Sequence, residues 1–234
     1  MTRPADPPDR ADEPELPRFG RPARWVHGLV GVLMLVCILT AAVLYNGSLA
    51  VVVGHRRAVE LVHVWCGFVL PFPLLMGLAS GSYRAELRRL NRFTRHDWRW
   101  LRSRTRRDGA IPVGKFNAGQ KLNGSLSAGA IAVLLLTGVV MYATGLTPLA
   151  WRTGATLVHD WSALAVGLLV VGHISYALRD PIALRSLRTG TVPRRWARQE
   201  HGAWADEVTA AAGAAAEAPE GSPDRQNGGA PGHA

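Results

Sequence analysis

The chain has 234 residues, 48% of them hydrophobic, and a formal charge of +10. Apolar content and charge of that size rarely coexist in a soluble domain unless they are segregated along the chain, and here they are segregated. The arginines flank apolar stretches, which excludes a nucleic-acid partner and fits the anionic lipids of an inner leaflet instead.

In chain order, residues 1–20 read as a disordered leader, because "MTRPADPPDRADEPELP" is rich in proline and charge and has nothing to bury. The first apolar stretch, roughly residues 25–45, follows Arg18, Arg21 and Arg24. It is longer than a signal-peptide core and its leader is acidic, so it is expected to be a membrane span. A second stretch, roughly 58–80, contains Pro71 and Pro73, which predict a kink whose freed carbonyls are satisfied by neighbours. Next comes the arginine-rich segment "SYRAELRRLNRFTRHDWRWLRSRTRRDG". Its alternation of tryptophan and basic residues predicts a short amphipathic element on the membrane surface, with Trp98 and Trp100 at headgroup level.

The third and fourth stretches, roughly 124–145 and 155–178, carry Gly129, Gly138, Gly167 and Gly172, small residues that permit close approach of a helix or a flat ligand. All four stretches are long enough to cross about 30 Å of hydrocarbon at about 1.5 Å per residue. After the fourth come Arg179, Arg185, Arg188, Arg194, Arg195 and Arg198, whereas the two short opposite loops hold only Arg56, Arg57 and Arg152. The positive-inside rule therefore puts both termini and the middle segment in the cytoplasm. Residues 209–234 read as a disordered, low-complexity tail, leaving a single all-α, four-helix membrane domain over residues 21–208. Cys37 and Cys66 are isolated within spans and read as packing residues.

Of eight histidines, His55, His96, His201 and His233 fall in polar segments and are expected at the surface. His27, His63, His159 and His173 fall inside spans. Alternating helix direction sorts those four by depth: His27 and His173 towards the cytoplasm, His63 and His159 towards the outside. Within the fourth span, fourteen residues are almost four turns, so His159 and His173 lie about 40° apart in direction and about 21 Å apart along the axis. One helix then offers an axial ligand to each of two stacked cofactors. Two neutral imidazoles fill both axial positions of a low-spin haem that passes electrons. Zinc would need further Cys or carboxylate ligands at the same depths. Histidines used as interhelical polar glue, and a proton relay with Asp160 and Glu60, are the other readings of these residues.

Four spans with histidines on the first, second and fourth, together with "GKFNAGQKL" over 114–122 and the ending "TGTVPRRWARQEHGAWADEV", resemble the cytochrome b (gamma) subunit of membrane-bound formate dehydrogenases. The resemblance covers roughly residues 20–208. It departs from the family's pattern after "NAGQK", where "LNGSL" stands in place of a common aromatic residue. It implies two haem b groups, the outer held by His63 and His159 and the inner by His27 and His173. It also implies a menaquinone or ubiquinone beside the inner haem, at Asn117 and Gly119. Asn117 is expected to cap the third span as well. The implied partners are an iron–sulfur subunit and a molybdenum- or tungsten-containing catalytic subunit in a bacterial inner membrane, with this chain an electron-transfer subunit that does not act on formate by itself. Related cytochrome b subunits of hydrogenases and thiosulfate reductases share the di-haem plan and give the alternative. A haem-free four-span membrane protein is the remaining one.

Overall fold

A computed structural model describes residues 14–105 and 110–217. A short strand β1 (Glu15–Pro17) leads into α1 (Arg21–Tyr45), whose first turn holds Pro22, where a missing N–H costs nothing. Asn46 ends α1 and starts α2 (Gly47–Val53), its side-chain oxygen accepting from Leu49 N–H at 3.1 Å. Gly54, at φ +73°, stops α2 in a left-handed turn. The second span is divided as the prolines predict: α3 (Arg56–Val69) runs to Leu70, and Pro71 opens α4 (Pro71–Gly77).

The arginine-rich segment folds into α5 (Gly81–Asn91) and α6 (Arg95–Arg102). Thr94 and Asp97 close a reciprocal capping box at the start of α6. Asn117 and Gln120 do the same for α7 (Ala118–Tyr142), with bonds of 2.9 and 3.0 Å, so the capping expected of Asn117 is present. Thr147 closes the turn into α8 (Leu149–Ala177) by donating to the carbonyls of Val140 and Ala143. The chain then forms α9 (Pro181–Thr189), β2 (Thr191–Pro193), α10 (Arg194–Glu200) and α11 (Gly202–Glu217).

Four helical segments, Arg21–Tyr45, Arg56–Gly77, Ala118–Tyr142 and Leu149–Ala177, are long and apolar enough to cross a membrane. They form two antiparallel hairpins, α1 with α3 and α4, and α7 with α8, which meet where α3 touches α7 and α1 touches α8. Met34, Leu70 and Val166 are buried together between the hairpins, with Leu33, Ile131 and Leu134 packed around them. Outward-facing Leu39, Leu136, Leu164, Leu168 and Val171 are exposed, an apolar exterior suited to lipid.

The polar segments gather at one end of the bundle, here called the basal end. β1 pairs antiparallel with β2, Leu16 opposite Val192. Gly190, at φ +88°, ends α9, and its carbonyl accepts from Arg18 and Phe19 N–H at 2.8 and 3.1 Å. Val192, Trp196, Ala197, Trp204 and Ala205 make a second core there, packed on Leu16, Ile182, Ala183 and Val208. Burial of a large apolar side chain stabilises by about 1.5–3 kcal/mol, enough for this small core to hold the basal cap together.

The cap revises two expectations. Residues 15–17 are a strand, and α11 continues through Ala210 to Glu217, so a helix occupies the beginning of the stretch expected to be an unstructured tail. Residues 1–13 of the leader and 218–234 of the tail, His233 included, lie outside the described residues. His201, expected at the surface, is only 2% exposed, because it fills the space between Arg18, Trp196 and Trp204.

Candidate functional site

The four intramembrane histidines come together in two sites. The His27 and His173 rings stand with centroids 6.1 Å apart, tilted by 50°, in the basal half of the bundle. The His63 and His159 rings stand 6.3 Å apart at 69°, in the distal half. These are the pairs that depth alone predicted. Helix packing adds that the members of each pair face one another across the seam between the hairpins. Val166 lies seven residues from each histidine of α8, and Leu70 seven beyond His63, so the buried apolar cluster fills the level between the two sites.

The spacing fits one metal centre per pair. An imidazole nitrogen sits about 2 Å from a first-row metal and its ring centre about 1 Å further back, so two rings on opposite sides of one metal have centres roughly 6 Å apart. Among the described residues, no three His, Cys, Asp or Glu side chains cluster closely enough to hold an ion by themselves. Two protein ligands per site therefore suit a macrocycle that brings its own four nitrogens. Space for a flat group is present as well. Gly31 lies one helical turn from His27 and Gly67 one turn from His63, and a Cβ placed on either would meet nothing within 4 Å. The site residues thus fit haem b.

The distal rings carry partners that sequence reading missed. Nδ1 of His63 lies 2.9 Å from the Thr40 hydroxyl of α1, and Nδ1 of His159 lies 2.9 Å from the Thr137 hydroxyl of α7. Gly138 gives the His159 ring room, since a Cβ there would sit 3.6 Å from its Cε1. The only sequence signal was a threonine within each of two otherwise apolar runs.

Asn117 and Gly119 lie at the basal entrance of α7. The Asn117 carbonyl oxygen is committed to the cap, which leaves its Nδ2 amide as the available donor. A Cβ on Gly119 would stand 3.4 Å from the Trp100 ring and 3.3 Å from Asn117 Oδ1, so glycine lets the α6 indole lie against the start of α7. Two residues on, Lys121 reaches Asp97 Oδ1 and Oδ2 at 2.9 and 2.7 Å and the Arg92 carbonyl at 2.9 Å. Burial alone would raise the Asp97 carboxyl, but the bonds from Lys121 and Thr94 outweigh it and hold it below the usual carboxylate range. The "NAGQK" stretch therefore clasps α6 to α7, and Trp98 stays exposed while Trp100 packs inward.

Beside this entrance, Lys115 pairs with Glu86 of α5, both largely buried. Arg18 lies over the Trp196 ring at 4.4 Å, and its Nη2 reaches His201 Nε2 at 3.1 Å. Burial pulls the Arg18 guanidinium down to about 10, still protonated at neutral pH. Because Arg18 can only donate, His201 Nε2 is the acceptor, and its Nδ1–H donates to the Gly114 carbonyl at 2.8 Å. His201 is thereby a neutral strut that ties the segment preceding α7 to the basal core.

A four-span bundle with two depth-matched histidine pairs defines a membrane cytochrome b. Residues 18–190 match the family described as prokaryotic cytochrome b561, and the chain belongs to that family. Over 99 residues it is 31% identical to the nitrate-inducible formate dehydrogenase cytochrome b556(Fdn) subunit of Escherichia coli (strain K12), a match covering 41% of this chain and 46% of the relative. The subunits of the same name from Escherichia coli O157:H7 and Shigella flexneri match to the same extent. The chain spans about half the length of the curated relatives it matches.

Proposed function

We propose that the chain is the membrane-anchoring, di-haem cytochrome b subunit of a respiratory formate dehydrogenase, lying in a bacterial inner membrane with its basal cap and both termini in the cytoplasm. In this reading its partners are an iron–sulfur subunit at the distal face and a molybdenum- or tungsten-containing catalytic subunit beyond it. The bound haems would carry electrons one at a time from that donor to menaquinone or ubiquinone at the basal end. The pairing of four intramembrane histidines into two sites about 6 Å across carries the reading.

Each residue has a definite task. His63 and His159 would hold the distal haem through their imidazole nitrogens, and His27 and His173 would hold the basal one. Met34, Leu70 and Val166 keep water out of the level between them. A quinone carbonyl becomes basic as it gains electrons, so it needs hydrogen-bond donors. The Asn117 amide, the Gly119 N–H and the positive N-terminal end of α7 offer donors and favourable charge at the basal entrance.

The test is a reduced-minus-oxidised spectrum with a haem count on the complex purified from its native membrane through a tag on this chain. Two b-type haems per chain, reduced on addition of formate and reoxidised by a quinone analogue, are expected. No haem after expression with adequate supply overturns the site assignment. Two haems reduced by hydrogen and not by formate overturn the assigned donor while leaving the cytochrome in place.

A further inference from the structure

The two histidine sites differ in how their rings are held. Among the described residues, no hydrogen bond reaches the ring of His27 or His173, whereas both distal rings are bonded to a threonine on a neighbouring helix. The two distal arrangements repeat each other closely. The Thr40 hydroxyl is 2.7 Å from the Val36 carbonyl and 3.1 Å from that of Cys37. The Thr137 hydroxyl is 2.7 Å from the Val133 carbonyl and 3.2 Å from that of Leu134.

A hydroxyl has one proton, and a carbonyl can only accept. Each threonine therefore spends its proton on its own helix and presents a lone pair to the histidine. The ring must then donate from Nδ1–H, which leaves Nε2, the nitrogen further from the threonine, with the free lone pair. That is the tautomer an iron ligand needs, and the bond also restrains rotation of the ring. A hydrogen bond accepted from Nδ1–H makes the imidazole a stronger electron donor, which favours the ferric state of the metal it holds.

We infer that Thr40 and Thr137 are the positioning residues of the distal haem: they set the tautomer and orientation of His63 and His159 and lower the reduction potential of the distal haem relative to the basal one. The inference rests on the haem-binding reading above. It gives the wire a direction, because electrons entering at a lower-potential distal site run downhill to a basal site whose rings lack these bonds.

The experiment is a redox titration with low-spin electron paramagnetic resonance on the whole purified complex. Wild type is compared with Thr40→Val, Thr137→Val, the double valine variant and the corresponding serine variants. The distal component is identified as the one lost in His63→Ala. Valine keeps the threonine's shape and removes the hydroxyl. Each valine should raise the reduced-to-oxidised ratio of the distal haem at fixed ambient potential by about three- to tenfold, a shift of about 30–60 mV at about 59 mV per tenfold for one electron. The distal resonance should change while the basal haem stays at its wild-type potential, and serine should restore wild-type values. Loss of the distal haem alone in the double valine variant, with both haems kept in the double serine variant, also supports the assignment. An unchanged distal potential in the double valine variant overturns it, as does a shift that serine fails to reverse. A haem count of zero in the wild-type chain would sink the haem-binding reading itself, a result separable from any of these.

Discussion

Lys121 and Asp97 are 8% and 7% exposed, so removing one of them strands a buried charge. In Lys121→Met, Asp97 loses both lysine bonds but still accepts from the Thr94 N–H at 2.7 Å and hydroxyl at 2.8 Å. Breaking a buried ion pair from one side costs about 3–5 kcal/mol, and the retained threonine bonds place this variant at about 3 kcal/mol. Asp97→Leu leaves the ammonium buried and also opens the α6 capping box, which adds about 1 kcal/mol. The double variant strands no charge, because two apolar side chains can occupy the space, so only the cap loss of about 1 kcal/mol remains. The loss is local, and amide hydrogen exchange of α6 in the detergent-solubilised complex measures it. A cost of about 3 kcal/mol corresponds to exchange faster by about a hundredfold or more. The double variant should exchange more slowly than either single one. If its acceleration instead equals the product of the single effects, the pair is not coupled and the clasp between α6 and α7 is wrongly assigned. The pH dependence has a fixed sign. A carboxyl held below its ordinary value of 3.8 contributes fully above that value and loses its contribution as pH falls through its lower folded value. Protection of α6 should therefore be flat across neutral pH and fail only in strong acid.

Gly190→Ala would place a side chain at φ +88° with its Cβ 2.9 Å from the Phe19 carbonyl, costing at least about 1–2 kcal/mol. It should expose residues 14–20 to limited proteolysis, and wild-type resistance would count against the strand pairing. Asn117→Ala should remove about 1 kcal/mol of capping from α7 and slow quinone reduction while both haems stay bound. Turnover at the wild-type rate would take Asn117 out of the quinone site. His27→Ala or His173→Ala should remove one haem and block quinone reduction while the other haem remains reducible by the partner. His63→Ala or His159→Ala should interrupt electron entry instead. If variants of both pairs removed the same spectral component, the pairing would be wrong.

Residue spacing along single helices was enough to predict the four spans, the break at Pro71, the cap at Asn117 and the sorting of the histidines by depth. Each depends on helical rise and on chemistry within a few residues, and a membrane forces apolar segments into helices that alternate in direction. The His27–His173 and His63–His159 pairs followed because depth is an axial coordinate, obtained by counting from a helix end. Azimuth is different. Which face of α1 meets α3, and which face of α7 meets α8, is set by side-chain packing between segments far apart in sequence. For that reason Thr40 and Thr137 emerged as histidine partners only in the folded chain. The basal cap depends on longer-range contacts still: Arg18, Gly114 and His201 meet across 183 residues of sequence. A polar segment read alone predicts an exposed histidine there. The folded chain buries it, because two tryptophans and an arginine from three separate segments close around the ring, while Arg18 and the Gly114 carbonyl satisfy its two nitrogens.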